Sequence, residues 1–326
     1  MTLTETPSAT GRRIPAVDVA RGGAIVAMAV YHAVWDLAFL RLLRIDLFDD
    51  PLWLTARTLI LGSFLFLAGL SLSLAATDGL DRRRYLRRLG LLAAAAAGVS
   101  AMSYTLFPAS PIFFGVLHHL TVASVLGLAV LRLPPLLTAA LGVAVLVAGD
   151  TLALPLFDLP WLRWVGLMTF EPDSNDYVPI FPWFGIVLVG IAAGRLFPRA
   201  GTVAGWQPVA GGGRALAWMG RRALAIYLIH QPLLFGAAWL LAQALGSPVS
   251  GPVGAPAGGT AGEGGAFLAS CISTCARGGT APAVCERSCR CIADGFHREG
   301  LWDQVLKDYI RPEDQPRANA VVRGCL

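Results

Sequence analysis

The stretch DVARGGAIVAMAVYHAVWDL, residues 18–37, sets Asp18, Arg21, His32 and Asp36 in a run that is otherwise apolar. Taken outward to residues 14–38, the run has the length that a bilayer's hydrocarbon core demands, roughly 17–25 residues. Six further runs of the same kind follow, at 53–76, 89–107, 112–131, 135–156, 178–197 and 223–246. The chain's 326 residues are 55% hydrophobic and 14% charged, with a mean hydropathy of +0.60. An ordinary soluble domain carries about 25% charged residues, so a water-facing surface cannot be built from so few. The expectation is an all-α fold: a polytopic membrane helix bundle of about seven spans.

Charge placement orients these spans. Arg12 and Arg13 precede the first, Arg82, Arg83, Arg84, Arg87 and Arg88 follow the second, and Arg195, Arg199, Arg214, Arg221 and Arg222 lie between the sixth and seventh. All three clusters share one side if every run crosses, and the positive-inside rule makes that side cytoplasmic. The net charge of +5 is thus a topology signal and gives no reason to expect nucleic acid. The same arginines suit anionic lipid. The first run is interrupted by ionisable residues and more runs follow it, so no cleavable signal peptide is expected. The expected location is a bacterial inner (cell) membrane, with residues 1–13 cytoplasmic and the C-terminus periplasmic or extracellular.

All six cysteines, Cys271, Cys275, Cys285, Cys289, Cys291 and Cys325, lie beyond the last span. An even set of cysteines in a short soluble segment belongs to an oxidising compartment, in agreement with the charge-based topology. The expected domains are therefore a transmembrane part at 14–246, a Gly/Pro/Ala linker at 247–266 and a small cysteine-rich helical domain at 267–326. Cys271 and Cys275, like Cys285 and Cys289, are four apart and share a helix face. An antiparallel helical hairpin would join Cys271 to Cys289 and Cys275 to Cys285, leaving Cys291 for Cys325, although six cysteines allow fifteen connectivities. The CxxC spacing common in zinc sites is absent, and no metal is expected.

Ionisable residues inside apolar spans are where chemistry is sought. On the first span Asp18 and Arg21 are three apart and His32 and Asp36 four apart, so each pair shares a face. Eleven steps of 100° bring Arg21 and His32 within about 20° of one another, about 16 Å apart along the axis. Two interfacial pairs at the ends of an ordinary span would look the same. A carboxylate that orients an imidazole, however, is a general-base arrangement. His118 and His119 are adjacent and point about 100° apart, so only one can face a given cavity; His118 is the one chosen. His230 sits beside Gln231 and Pro232, where a freed backbone carbonyl explains it as well as a substrate does. Asp150, Asp158, Glu171 and Asp173 read as loop or interface carboxylates. Asp176 and Tyr177, just before the sixth span, are the better acceptor-side candidates.

The segment from Asp18 to Asp36, with Arg21, ten residues and His32, resembles the opening motif of the membrane-bound acyltransferase superfamily. FFGVLHHLTVAS at 113–124, YVPIFPWFGIVLVGIAAGR at 177–195 and GRRALAIYLIHQPLLF at 220–235 extend the likeness to bacterial proteins similar to the catalytic domain of heparan-alpha-glucosaminide N-acetyltransferase. It covers about residues 12–246 and leaves the tail unmatched. The resemblance implies an integral membrane O- or N-acyltransferase that takes an acyl group, acetyl by default, from cytoplasmic acetyl-CoA or another acyl-CoA. The acceptor lies across the membrane, as an amino sugar or envelope glycan. Carried over, His32 is the catalytic base or acyl carrier, Asp36 its orienter, and Arg21 with Asp18 the donor-binding pair. A proton-coupled transporter or export partner built on the same buried His and Asp residues is the alternative from another class, and a membrane anchor for the cysteine-rich tail a third.

Overall fold

The computed structural model describes residues 14–40, 42–43, 45, 47, 50–77, 79–107, 110–170, 172, 174–196, 211–245, 263–277, 281–306, 310–311 and 314–325. Arg12, Arg13, Arg199, Glu171, Asp173 and the linker from 247 to 262 lie outside the described residues. Helices and turns account for the described fold, with no strand among the described residues. The chain divides into two compact units, residues 1–103 with 112–249 and residues 104–111 with 250–326.

In the first unit, α1 (Pro15–Phe39), α2 (Pro51–Thr77), α3 (Arg82–Leu106) and α8 (Ala223–Ala244) are long and apolar enough to cross a membrane. At 1.5 Å per residue their 22 to 27 residues reach the roughly 30 Å of a hydrocarbon core. Pro15 opens α1 at the helix position where its missing N–H costs nothing. Three shorter apolar helices, α4 (Val116–Val130), α5 (Pro135–Thr151) and α6 (Phe184–Leu196), complete the seven apolar runs expected. Two of the expected runs start late as helices. Residues 112–115 and 178–183 are not helical, because Gly115, Pro179 and Pro182 interrupt them and their backbone groups bond elsewhere. Irregular backbone survives at membrane depth only where protein surrounds it.

The thirteen-residue α6 is the centre of this unit. Phe184, Val187, Leu188, Ile191 and Ala192 are buried together with Gly185, Gly190 and Gly194, and a helix apolar all round is a core helix. Its glycines set its neighbours. A Cβ on Gly190 would lie 2.2 Å from the Phe66 carbonyl oxygen of α2, and one on Gly69 would lie 2.1 Å from the Val187 carbonyl oxygen. On the other side Gly142 of α5 and Gly185 of α6 face each other in the same way. Small residues let membrane helices approach backbone to backbone.

An additional helix, α7 (Gly211–Arg221), occupies the segment between the sixth and seventh expected spans. It runs antiparallel to the start of α1, with Gly22 against Leu216 and Gly220 against Asp18. After a turn at Arg222, α8 returns along α1, joining Leu37 and Leu40 to Phe235, Ala238 and Ala242. Leu92 and Ala96 of α3 pack on Leu117 of α4 and on Leu224 and Tyr227 of α8.

Besides residues 104–111, the second unit holds the cysteine-rich region. Helices α9 (Glu263–Arg277) and α10 (Pro282–Arg298) are joined by Cys271–Cys289 and Cys275–Cys285, and Cys291–Cys325 ties α10 to α12 (Gln315–Cys325). Short α11 (Trp302–Leu306) closes over a core of Ile292, Phe296, Leu301 and Ala318 with Phe267 and Trp302. A core this small needs such cross-links.

Candidate functional site

At the start of α1, Arg21 donates from Nη1 to Asp18 Oδ1 at 3.2 Å and from Nη2 to Ser71 Oγ of α2 at 2.7 Å. It also reaches the Gly220 carbonyl of α7 at 3.5 Å. Asp18 is buried, and the pair fixes the place where α1, α2 and α7 meet.

Toward the other end of α1 the second pair departs from expectation. His32 and Asp36 are not hydrogen-bonded to each other. Asp36, fully buried, instead accepts from Gln231 Nε2 of α8 at 2.8 Å. His32 faces His230 of the same helix, ring centroids 5.1 Å apart. His230 Nδ1 lies 2.7 Å from the Tyr227 carbonyl; a carbonyl only accepts, so Nδ1 carries the hydrogen and Nε2 keeps a lone pair. Five buried side-chain atoms among the described residues lack a partner, and three of them, Asp36 Oδ2, His230 Nε2 and Gln231 Oε1, belong to this one cluster. Buried polar groups are normally satisfied, so a concentration of exceptions marks a site that meets something else.

The histidines of α4 divide their roles. His118 Nδ1 accepts the Gly115 N–H at 3.2 Å, so Nε2 carries the hydrogen and donates to Ser100 Oγ of α3 at 3.1 Å. Ser100 in turn donates to the Ile112 carbonyl at 2.6 Å. A serine activated as nucleophile would need the opposite tautomer, so the Ser100–His118 pair is a brace that locks the unwound residues before α4. His119 is fully buried, with Nδ1 shared between the Val178 and Pro179 carbonyls at 3.2 and 3.1 Å. It clasps the unwound segment before α6.

Asp176 accepts the Val116 N–H at 3.0 Å at the N-terminus of α4, where a helix favours negative charge. Burial nevertheless raises its pKa from the ordinary carboxylate value to about 6, with the Val116 N–H pulling the other way. The Tyr227 ring stands 5.6 Å from that of His230. His32, His230 and Tyr227 therefore form one series from α1 to α8. Tyr177 is directed away, its hydroxyl donating to the Arg163 carbonyl at 2.6 Å. Gln231 and Tyr227 were not singled out from the sequence. The polar His-Gln pair inside the apolar run at 223–246 was the signal that could have found them.

A helical membrane protein with imidazoles and a carboxylate gathered inside its bundle is the class that this fold and site define. Residues 13–232 match the family model described as heparan-alpha-glucosaminide N-acetyltransferase, catalytic, and the chain belongs to that family. Membership indicates a membrane acetyltransferase-like function. No curated protein and no solved structure matches the chain.

Proposed function

We propose that the protein transfers an acyl group, acetyl by family, from acyl-CoA on the cytoplasmic side to an amino sugar or envelope glycan on the far side. The observation that supports it best is the cluster of His32, His230, Asp36 and Gln231, with three unpartnered buried atoms, inside the family-matched region. In this reading the acceptor's hydroxyl or amine attacks the thioester carbonyl, and a neutral imidazole takes its proton while the CoA thiolate leaves. His32 is that imidazole. Asp36, held by Gln231, keeps the cluster polar, and His230 offers a second lone pair beside it. Arg21, ordered by Asp18, stands at the end where the anionic donor would arrive.

The orientation proposed has the N-terminus cytoplasmic and all seven apolar helices crossing. It rests on the arginines at the start of α3 and around α7, and on the three disulfides, which belong to an oxidising compartment. The domain division at 14–246, 247–266 and 267–326 is proposed on the same grounds. A proton-coupled transporter would use the same unpartnered atoms as a relay.

Thermal melts of the detergent-purified protein with acetyl-CoA separate the two. A ligand that binds the folded state alone raises the transition with concentration. The transferase reading expects a dose-dependent rise that Arg21→Ala weakens, and transfer from labelled acetyl-CoA that His32→Ala lowers roughly 10²–10⁴-fold. No rise at millimolar acetyl-CoA in folded protein would move the weight to the transporter.

A further inference from the structure

The connection between α5 and α6 wears its apolar side chains outward. Leu152, Leu154, Leu156, Trp161 and Phe170 are all exposed, Trp161 at 69% and Leu156 at 61%. Its polar groups pair with one another. Asp158 accepts the Thr169 N–H at 2.9 Å and the Thr169 hydroxyl at 2.8 Å. Arg163 Nε donates to the Asp158 carbonyl at 3.1 Å and Trp164 Nε1 to the Trp161 carbonyl at 2.9 Å. The N–H groups of Leu154, Phe157, Leu162 and Val165 all bond to carbonyls within the same segment.

A loop in water gains nothing by pairing its polar groups internally while offering leucine and tryptophan to solvent. At a bilayer surface both features are required, since lipid cannot pair backbone groups and the headgroup layer favours tryptophan. The apolar surface also continues that of α5, where Val143 and Val147 are each 54% exposed. We propose that residues 152–170 form an interfacial wedge seated in lipid, at the boundary of headgroups and acyl chains.

The wedge also holds a wall of the candidate site. Ile180 and Phe181 donate their N–H groups to the Trp164 and Val165 carbonyls at 3.1 and 2.8 Å, and Tyr177 donates to Arg163. The strip 176–181 carries Asp176 and the two carbonyls that His119 clasps, so its height is referred to the membrane surface through the wedge. The inference rests on the membrane reading and not on the transferase reading.

The test uses the full chain reconstituted in phosphatidylcholine/phosphatidylglycerol vesicles. All six native cysteines are in disulfides, so Trp161→Cys and, separately, Leu156→Cys each create one free thiol for an environment-sensitive fluorophore. Arg84→Cys, at a side chain 74% exposed in the charged first turn of α3, is the aqueous reference. Labels at 161 and 156 are expected to be quenched by brominated lipids at a depth of roughly 5–10 Å, and to lose iodide quenching several-fold relative to position 84. Iodide quenching equal to that at position 84 would overturn the wedge in favour of a solvent loop. Protection from both quenchers would overturn it in favour of a protein cover. Two labelled positions keep the answer available if one variant fails to fold.

Discussion

Gly22 and Gly23 stand side by side on α1 and should answer alanine with opposite signs. A Cβ on Gly22 would lie 2.0 Å from the Leu216 carbonyl oxygen, 2.7 Å from its carbonyl carbon and 2.9 Å from its Cα, whereas one on Gly23 meets nothing within 4 Å. Every obstructing atom is backbone, so no side chain can swing aside, and α1 and α7 must part by about 1 Å. A gap of that size forfeits up to about half of the dispersion along the seam, and overpacking costs ~1–3 kcal/mol. Against this, alanine is favoured over glycine in a helix interior by ~0.8–1 kcal/mol at both positions. Gly22→Ala should therefore lose up to about 2 kcal/mol net and Gly23→Ala gain up to about 1. At roughly 2–4 °C per kcal/mol for a chain of this size, the two midpoints should differ by the overpacking cost alone, roughly 2–12 °C, in thermal melts followed by tryptophan fluorescence. Shifts of the same sign, or a Gly22→Ala protein no less stable than the parent, would refute the backbone contact between α1 and α7.

Three other outcomes follow from the site and the tail. Gln231→Leu leaves buried Asp36 with neither oxygen paired and should cost ~1–3 kcal/mol, while the double change Asp36→Leu with Gln231→Leu should recover part of that loss; a thermodynamic cycle from denaturant titrations measures the coupling. Asp176 has a raised pKa in the fold, so the folded state binds the proton more tightly. Its contribution is fully present below the ordinary carboxylate value near 4 and fades as pH rises through about 6. Melts between those limits should show this slope in the parent and lose it in Asp176→Asn. Serine at both Cys291 and Cys325 removes the bond that closes the longest loop of the tail and should cost the tail on the order of 2–4 kcal/mol. Limited proteolysis should then cut the tail faster while the acetyl-CoA response of the first unit stays as it was.

The sequence exposed what depends on local composition. The long spans were legible as apolar runs, and α1 matches its expected 14–38 within a residue because Pro15 and the polar residues after Leu40 punctuate it. The hairpin pairing of Cys271 with Cys289 and Cys275 with Cys285 could be read from two equal spacings around a Gly-rich turn. What stayed hidden depends on residues far apart in the chain. Asp36 and Gln231 are 195 positions apart, and no spacing rule reports that His32 would face His230 and leave Asp36 to Gln231. Helix α7 was passed over as a charged connection, because GGGRALAWMGR is too short and too polar to read as a span. The late starts of α4 and α6 were hidden as well, since hydropathy does not separate a helix from an unwound apolar strip.

The glycine seams of α6 bear on motion. Contacts between side chains can yield by changing rotamer; a seam made of two backbones has no such slack. Gly190 on α2 and Gly185 on α5 thus bolt three helices into a keel that can tilt only as one piece. Any opening that admits a substrate must then come from elements attached by longer side chains. Among these is α3, which meets α4 and α8 through leucine, alanine and tyrosine.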